Sequence, residues 1–136
     1  MAPCDEAAQR LAVYGSLMRK VDGDLNTPIL DGRLRYRCEC QIAGRLYDLG
    51  AYPGLVCGIG LVAGELYDLL DPTALQILDT YEGYRPEKPA ESLFRRECVL
   101  IECGTRVHGW LYVYNRDIAG RPLIESGNWA THVQMR

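Results

Sequence analysis

The sequence predicts an α+β fold in which a strongly curved, mostly antiparallel sheet or small barrel packs against one principal helix. Three observations carry this reading. Five short segments have strand character and are bounded by turn residues. Three of them share the form Gly-x-Leu-Tyr, beginning at Gly44, Gly64 and Gly109. Only one segment has the start and stop signals of a helix. Glycine inside a strand marks a bulge, a bend or a close backbone approach, so three such strands point to strong curvature. The spacing of the echoes is irregular, which excludes a solenoid.

The elements follow in order. Residues 11–14 form a short apolar run that ends at Gly15-Ser16, as a buried strand entering a turn does. Residues 18–32 carry Gly, Asn, Pro and Asp and read as irregular. Residues 36–49 are strand-like, residues 50–60 with Tyr52-Pro53-Gly54 read as a loop, and residues 61–70 form a third strand. Asp71 is a good N-cap, Pro72 suits the first helical position, and Gly83 stands where a left-handed cap is wanted. Two further strands, 94–102 and 106–115, flank a hairpin turn at Cys103-Gly104-Thr105.

The 136 residues fit a single domain, with residues 1–10 as a flexible N-terminus. Apolar residues make up 48% and charged residues 24%, an ordinary globular balance. Nine tyrosines against one phenylalanine suit a pocket or a half-wet surface, because each ring brings a hydroxyl. The formal net charge is −3 and the basic residues are scattered, which argues against a nucleic-acid partner. No apolar run has the length of a membrane span, and the N-terminus lacks a signal pattern. The expected location is therefore cytoplasmic. The six cysteines include no CxxC pair, and two histidines are too few and too distant to complete a zinc site. Free thiols are the expectation, with no metal and no cofactor.

Chemistry can reside at two places. On a helix beginning at Pro72, Leu75, Leu78 and Glu82 fall on one stripe at 100° per residue. A carboxylate on an apolar stripe is costly to bury, and partial burial raises its pKa toward the range of a general acid or base. The alternative is a frayed helix end where Glu82 pairs with Arg85 or Arg95. Asp79 flanks the stripe and suits an ion pair or a cap contact. The second place is the turn Tyr14-Gly15-Ser16-Leu17. A strand ending in Gly-Ser can turn successive backbone N–H groups toward an anion, or it can be a simple turn. Tyr112 and Tyr114 either line a pocket or pack on one face of their strand.

At these residues the sequence resembles the γ-glutamylcyclotransferase-like family, in its γ-glutamylamine cyclotransferase and avirulence-induced-protein-like branch. Four stretches match in order. They are Val13-Tyr14-Gly15-Ser16-Leu17; Gly44-Arg45-Leu46-Tyr47-Asp48-Leu49-Gly50 with Tyr52-Pro53; Gly64-Glu65-Leu66-Tyr67 leading to Leu78-Asp79-Thr80-Tyr81-Glu82-Gly83-Tyr84; and Gly127-Asn128-Trp129. The resemblance implies a small mixed barrel with helices. It also implies conversion of a γ-glutamyl amide or γ-glutamylamine into 5-oxoproline and a free amine. Glu82 takes the place of the catalytic acid/base, and Tyr14, Gly15, Ser16 and Leu17 take the place of the loop that holds the γ-glutamyl group. One departure stands out: Phe94 occupies a position where relatives carry tyrosine. The rival readings are a non-catalytic module that binds a small carboxylate or a protein through the same cavity, and a thiol-dependent enzyme.

In the cyclotransferase reaction the substrate's own α-amine is the nucleophile, so no metal is needed. Turnover is expected to survive exhaustive chelation with EDTA. Loss of activity that a single metal ion restores would contradict this chemistry.

Overall fold

A computed structural model describes residues 9–15 and 32–136. Five strands close into a barrel. They are β1 (Arg10–Val13), β2 (Leu34–Asp48), β3 (Pro53–Leu69), β4 (Phe94–Glu102) and β5 (Arg106–Tyr114), in the spatial order β1-β3-β2-β4-β5. Every pairing is antiparallel except the closing one, where β1 meets β5 in parallel at Leu11 and Trp110. Among the described residues two α-helices are added, α1 (Thr73–Glu82) after β3 and α2 (Trp129–Met135) near the end of the chain. The expected mixed, mostly antiparallel barrel is therefore found. All of the expected irregular stretch 18–32 but Gly32 lies outside the described residues, as do Ser16, Leu17 and most of the N-terminal segment.

β2 shows how the pattern produces the sheet. Cys40, Ile42, Gly44 and Leu46 are buried, while Gln41, Ala43 and Arg45 between them face solvent. That is the period of two expected of a strand with one wet face. The alternation persists through a register shift between Ala43 and Arg45, where the strand bends. The three echo glycines sit where neighbouring chains come close. A Cβ on Gly64 would lie 2.8 Å or less from its nearest neighbour, at 2.7 Å from the carbonyl oxygen of Val13, and one on Gly109 would lie 2.7 Å from the Ile101 side chain. One on Gly44 would lie 2.8 Å from the carbonyl oxygen of Val56. Larger residues would push these strands apart, so the glycines permit the tight curvature that closes five strands.

The expected loop at residues 50–60 needs correction. β3 already begins at Pro53, and the turn is confined to the residues between β2 and β3, where the Leu49 N–H donates to the Tyr52 carbonyl at 3.0 Å. Proline is tolerated at the first residue of a strand. Leu55 pairs with Leu46 and is fully buried, which anchors this part of β3 in the core. The turn-like glycines farther on, Gly58 and Gly60, belong instead to an excursion. Because Ala43 pairs with Leu61 and Arg45 with Val56, the residues between Val56 and Leu61 stand opposite Gly44 alone and bulge outward.

α2 lacks the length to announce itself in sequence. Its start is fixed by Asn128, whose side chain accepts from the Thr131 N–H at 3.1 Å. The Gly127 carbonyl accepts from the Ala63 N–H at 2.8 Å, which ties the start of the helix to β3. Trp129 is buried in the core, and Asp48 accepts a hydrogen bond from His132 Nε2 at 2.7 Å. Arg136 reaches the same carboxylate at 3.3 Å. The Gly127-Asn128-Trp129 stretch thus serves the packing of the chain's last helix against the barrel.

The cysteines divide. Cys38, Cys40, Cys57 and Cys103 are free, as expected, and burial pushes the Cys40 thiol up to about 12, as suits a small core hydrophobe. Cys98 departs from the free-thiol expectation, for it is disulfide-bonded. Among the described residues no helix is long and apolar enough to cross a membrane.

Among the described residues Trp129 is the largest of the fully buried side chains. Trp129→Ala should cost ~3–5 kcal/mol, the usual range for deleting a buried large aromatic. Urea denaturation monitored by circular dichroism checks this, and a loss below ~1 kcal/mol would show that α2 is not part of the cooperative core.

Candidate active site

The seating of α1 decides where Glu82 points. At its start, Asp71 Oδ1 accepts from the Thr73 N–H at 3.0 Å, and Pro72 already has helical dihedrals. At its end, Gly83 adopts the left-handed conformation with φ 69°, which costs a residue without a Cβ little. The Gly83 N–H donates to the Thr80 carbonyl and the Tyr84 N–H to the Asp79 carbonyl, the paired bonds of a Schellman cap. Ala74 and Leu78 are buried on the inner face, with Leu75 half-buried beside them. Glu82 lies one turn beyond Leu78 on the same stripe and so faces inward.

The side chain meets a cavity of about 190 Å³. Its walls come from the end of β1 (Ala12, Val13, Tyr14, Gly15), from Tyr52 and Pro53, from Tyr81 and Glu82, and from Leu93, Phe94 and Tyr112. Glu82 is the one charged residue among these. Neither arginine considered as its partner reaches it, since Arg85 pairs with Glu87 at 3.2 Å and Arg95 with Glu97 at 2.8 Å. Burial without a compensating cation raises the Glu82 carboxyl from 4.5 to about 7. A carboxyl in that range exchanges protons readily near neutral pH.

Beneath the cavity lies a buried polar network. Arg96 Nε donates to Asp79 Oδ1 at 2.8 Å and Arg96 Nη2 to Asp79 Oδ2 at 3.2 Å, a forked ion pair. The Tyr112 hydroxyl donates to Asp79 Oδ1 at 2.6 Å. Arg96 also stacks over the Trp110 ring, 4.5 Å from its centroid. Asp79 thus makes the ion pair expected of it, but from a buried position. Leu111, Tyr112 and Val113 are all buried, so β5 is covered on both faces here, which an alternating pattern alone could not reveal.

The loop residues divide between structure and cavity. The Tyr14 hydroxyl donates to the Tyr112 carbonyl at 2.7 Å and accepts from the Leu55 N–H at 3.2 Å. Its oxygen is occupied in locking β1 between β5 and β3, and burial pushes the phenol far up. The Tyr14 ring is a strut, while Tyr14 and Gly15 both contribute to the cavity wall. A Cβ on Gly15 would fall 2.8 Å from the Pro53 ring, so glycine is needed there for packing against Pro53 as well as for open access. Ser16 and Leu17 lie outside the described residues.

Phe94 is buried and lines the cavity, packed against Tyr52 and Tyr114 at ring-centroid distances of 6.0 and 5.4 Å. This wall is aromatic and offers no hydroxyl at residue 94. Arg96, missed as a member of the site, gave no signal beyond its place in a strand. Tyr52 and Pro53 did, through the motif they complete.

The site is thus a small, largely aromatic cavity at the side of a closed five-stranded barrel, with one uncompensated carboxyl on its wall. The chain belongs to the gamma-glutamyl cyclotransferase, AIG2-like family, whose model matches residues 11–131. It is 39% identical over 109 residues to the gamma-L-glutamyl-butirosin B gamma-glutamyl cyclotransferase of Niallia circulans, covering 79% of this chain and 67% of that one. It is 34% identical over 127 residues to the gamma-glutamylcyclotransferase family protein YtfP of Escherichia coli, covering 88% of this chain and 95% of the other. The solution structure of the Escherichia coli protein ytfP superposes with a TM-score of 0.65 at 32% identity, again over 88% of this chain and 95% of that one. Family membership supports a cyclotransferase activity.

The elevated Glu82 pKa has a consequence for stability. Between 4.5 and about 7 the folded state binds a proton that the unfolded state has released. The stabilisation is fully present below pH 4.5 and disappears as pH rises through about 7, amounting at most to about 3 kcal/mol. Glu82→Gln should remove this dependence. The urea stability of Glu82→Gln minus that of the wild type should climb between pH 4.5 and 7.5. A difference that stays flat would mean Glu82 is ionised throughout.

Proposed function

We propose that the protein converts a γ-glutamyl amide or γ-glutamylamine into 5-oxoproline and a free amine, with Glu82 as general acid and base. The observation that carries this reading is the Glu82 carboxyl, uncompensated and poised at about 7 in the cavity beside Tyr14 and Gly15. The α-amine of the substrate attacks its own γ-carbonyl carbon and closes a five-membered ring. The bond from that carbon to the leaving nitrogen then breaks. Glu82 accepts a proton from the α-ammonium and delivers one to the departing nitrogen, so a single group serves both transfers. The cavity contributes by holding the substrate folded, since an intramolecular attack gains most from being kept in a near-attack shape. In this reading the main chain at Tyr14 and Gly15 holds the γ-glutamyl group through N–H groups, which suit a carboxylate or a developing oxyanion; the other two residues assigned to this role, Ser16 and Leu17, lie outside the described residues.

The binding-module reading is less well supported. A pocket for an acidic ligand gains nothing from a buried acid, whereas proton transfer requires one.

A panel of γ-glutamyl compounds, varied in the amine, should be screened for 5-oxoproline release by mass spectrometry. At least one should be turned over, and Glu82→Gln should lower its rate by ~10²-fold or more while the protein stays folded. Undiminished release by Glu82→Gln would remove Glu82 from the mechanism, and no release from any compound by folded wild type would sink the reading.

A further inference from the structure

The proton inventory of the cavity separates its two buried phenols. The Tyr14 hydroxyl both donates and accepts within the protein, so it has little left to offer a ligand. The Tyr112 hydroxyl gives its only proton to Asp79 Oδ1 at 2.6 Å. A hydroxyl has one donor and two acceptor lone pairs, so with its proton given to Asp79 the Tyr112 oxygen is left only acceptor capacity. Asp79 fixes that polarity. Both of its oxygens accept from the Arg96 fork, at 2.8 and 3.2 Å, so the contact with the phenol is one in which the phenol donates. A phenol that donates to a carboxylate also becomes a better acceptor, because hydrogen bonds in a chain polarise one another.

Tyr112 and Glu82 line the same cavity. The charge of Glu82 also acts on the Tyr112 phenol, adding to the burial and the Asp79 contact that hold its proton in place. Two acceptors, one anionic, and no cation among the described lining residues make a poor seat for a carboxylate and a good one for an ammonium group.

Resting on the cyclotransferase reading, we infer that Tyr112 Oη and Glu82 together form a subsite for the substrate's α-ammonium group, and that Asp79, held by Arg96, is the positioning residue that keeps the Tyr112 oxygen an acceptor. The ammonium donates one hydrogen bond to Tyr112 Oη and another to Glu82. The second bond is the path along which the proton leaves, and the first orients the nitrogen as it becomes the nucleophile.

The test uses binding, so it stands apart from turnover. S-butyl-L-homocysteine sulfone carries the α-ammonium and α-carboxylate of a γ-glutamyl chain, with an unreactive sulfone in place of the amide. 4-(Butylsulfonyl)butanoate is the same molecule without the amine. By calorimetry, wild type should bind the amino sulfone ~10-fold or more tighter than its deamino partner, as expected for hydrogen bonds to a charged group. In Tyr112→Phe that ratio should shrink several-fold, with binding of the deamino ligand unchanged. Folded Asp79→Asn should shrink it too, and retention of the wild-type ratio there overturns the positioning role. Should Tyr112→Phe fail to fold, wild type labelled with 13C at tyrosine Cζ serves instead. The Tyr112 resonance should shift with the amino sulfone and not with the deamino ligand. Equal losses for both ligands in Tyr112→Phe, an equal NMR response to both, or wild type that binds neither overturns the inference. If the ratio behaves as stated while no γ-glutamyl compound is turned over, the subsite stands and the catalytic reading fails.

Discussion

Glu82 is held half-buried and away from nearby arginines by the way α1 is fastened. The Asp71 contact sets its first turn and the Gly83 cap its last, so the helix cannot rotate to offer the carboxylate to solvent. Ala74 and Leu78 hold the inner face against the barrel, and Asp79 is gripped by Arg96 from β4 and Tyr112 from β5. Two acids on one helix thereby receive opposite treatment. Asp79 has a forked cation and a phenol, while Glu82 has neither and is raised to about 7. What separates the two carboxylates is a partner: a guanidinium and a phenol reach Asp79, and the charge of Glu82 is left to burial alone.

The rest of the cavity depends on the same fastening. Tyr112 touches Asp79 with its hydroxyl and Tyr14 with its carbonyl, so α1, β5 and β1 are joined through a single residue. Tyr14 carries the connection on to β3 at Leu55. Buried hydrogen bonds of this kind are costly to break one partner at a time, because the partner left behind stays buried and unsatisfied. Rigidity of the cavity wall follows, because the rings of Tyr14 and Tyr112 are tied to strands and to α1.

Much was legible from local rules. The Asp-Pro start and glycine end of α1, the hairpin at Gly104, and the inward stripe with Glu82 on it are all settled by residues within a few positions of each other. The glycine echoes also kept their meaning, since a close backbone approach excludes a Cβ whatever the sequence around it. Local rules failed where neighbours came from elsewhere in the chain. Residues 53–56 carry turn-like Pro and Gly, yet their pairing with β2 makes them strand. Tyr112 sits in an alternating pattern that predicts one exposed face, yet α1 covers it. α2 is only seven residues long and is held by Trp129 in the core and Asp48 on β2, contacts invisible to a helical period.

The sequence by itself determined the five strands, the helix that carries Glu82, and the family to which the chain belongs. Hydrophobic period, capping residues and glycine placement act over short stretches and survive without knowledge of distant partners. What only the tertiary structure decided is the raised pKa of Glu82, the partners of Asp79 and the direction of the Tyr112 hydrogen bond. Arg96 lies seventeen positions from Asp79, and Tyr112 thirty-three. A pKa is set by burial and by charges within a few ångströms, and those distances exist only after the barrel has closed.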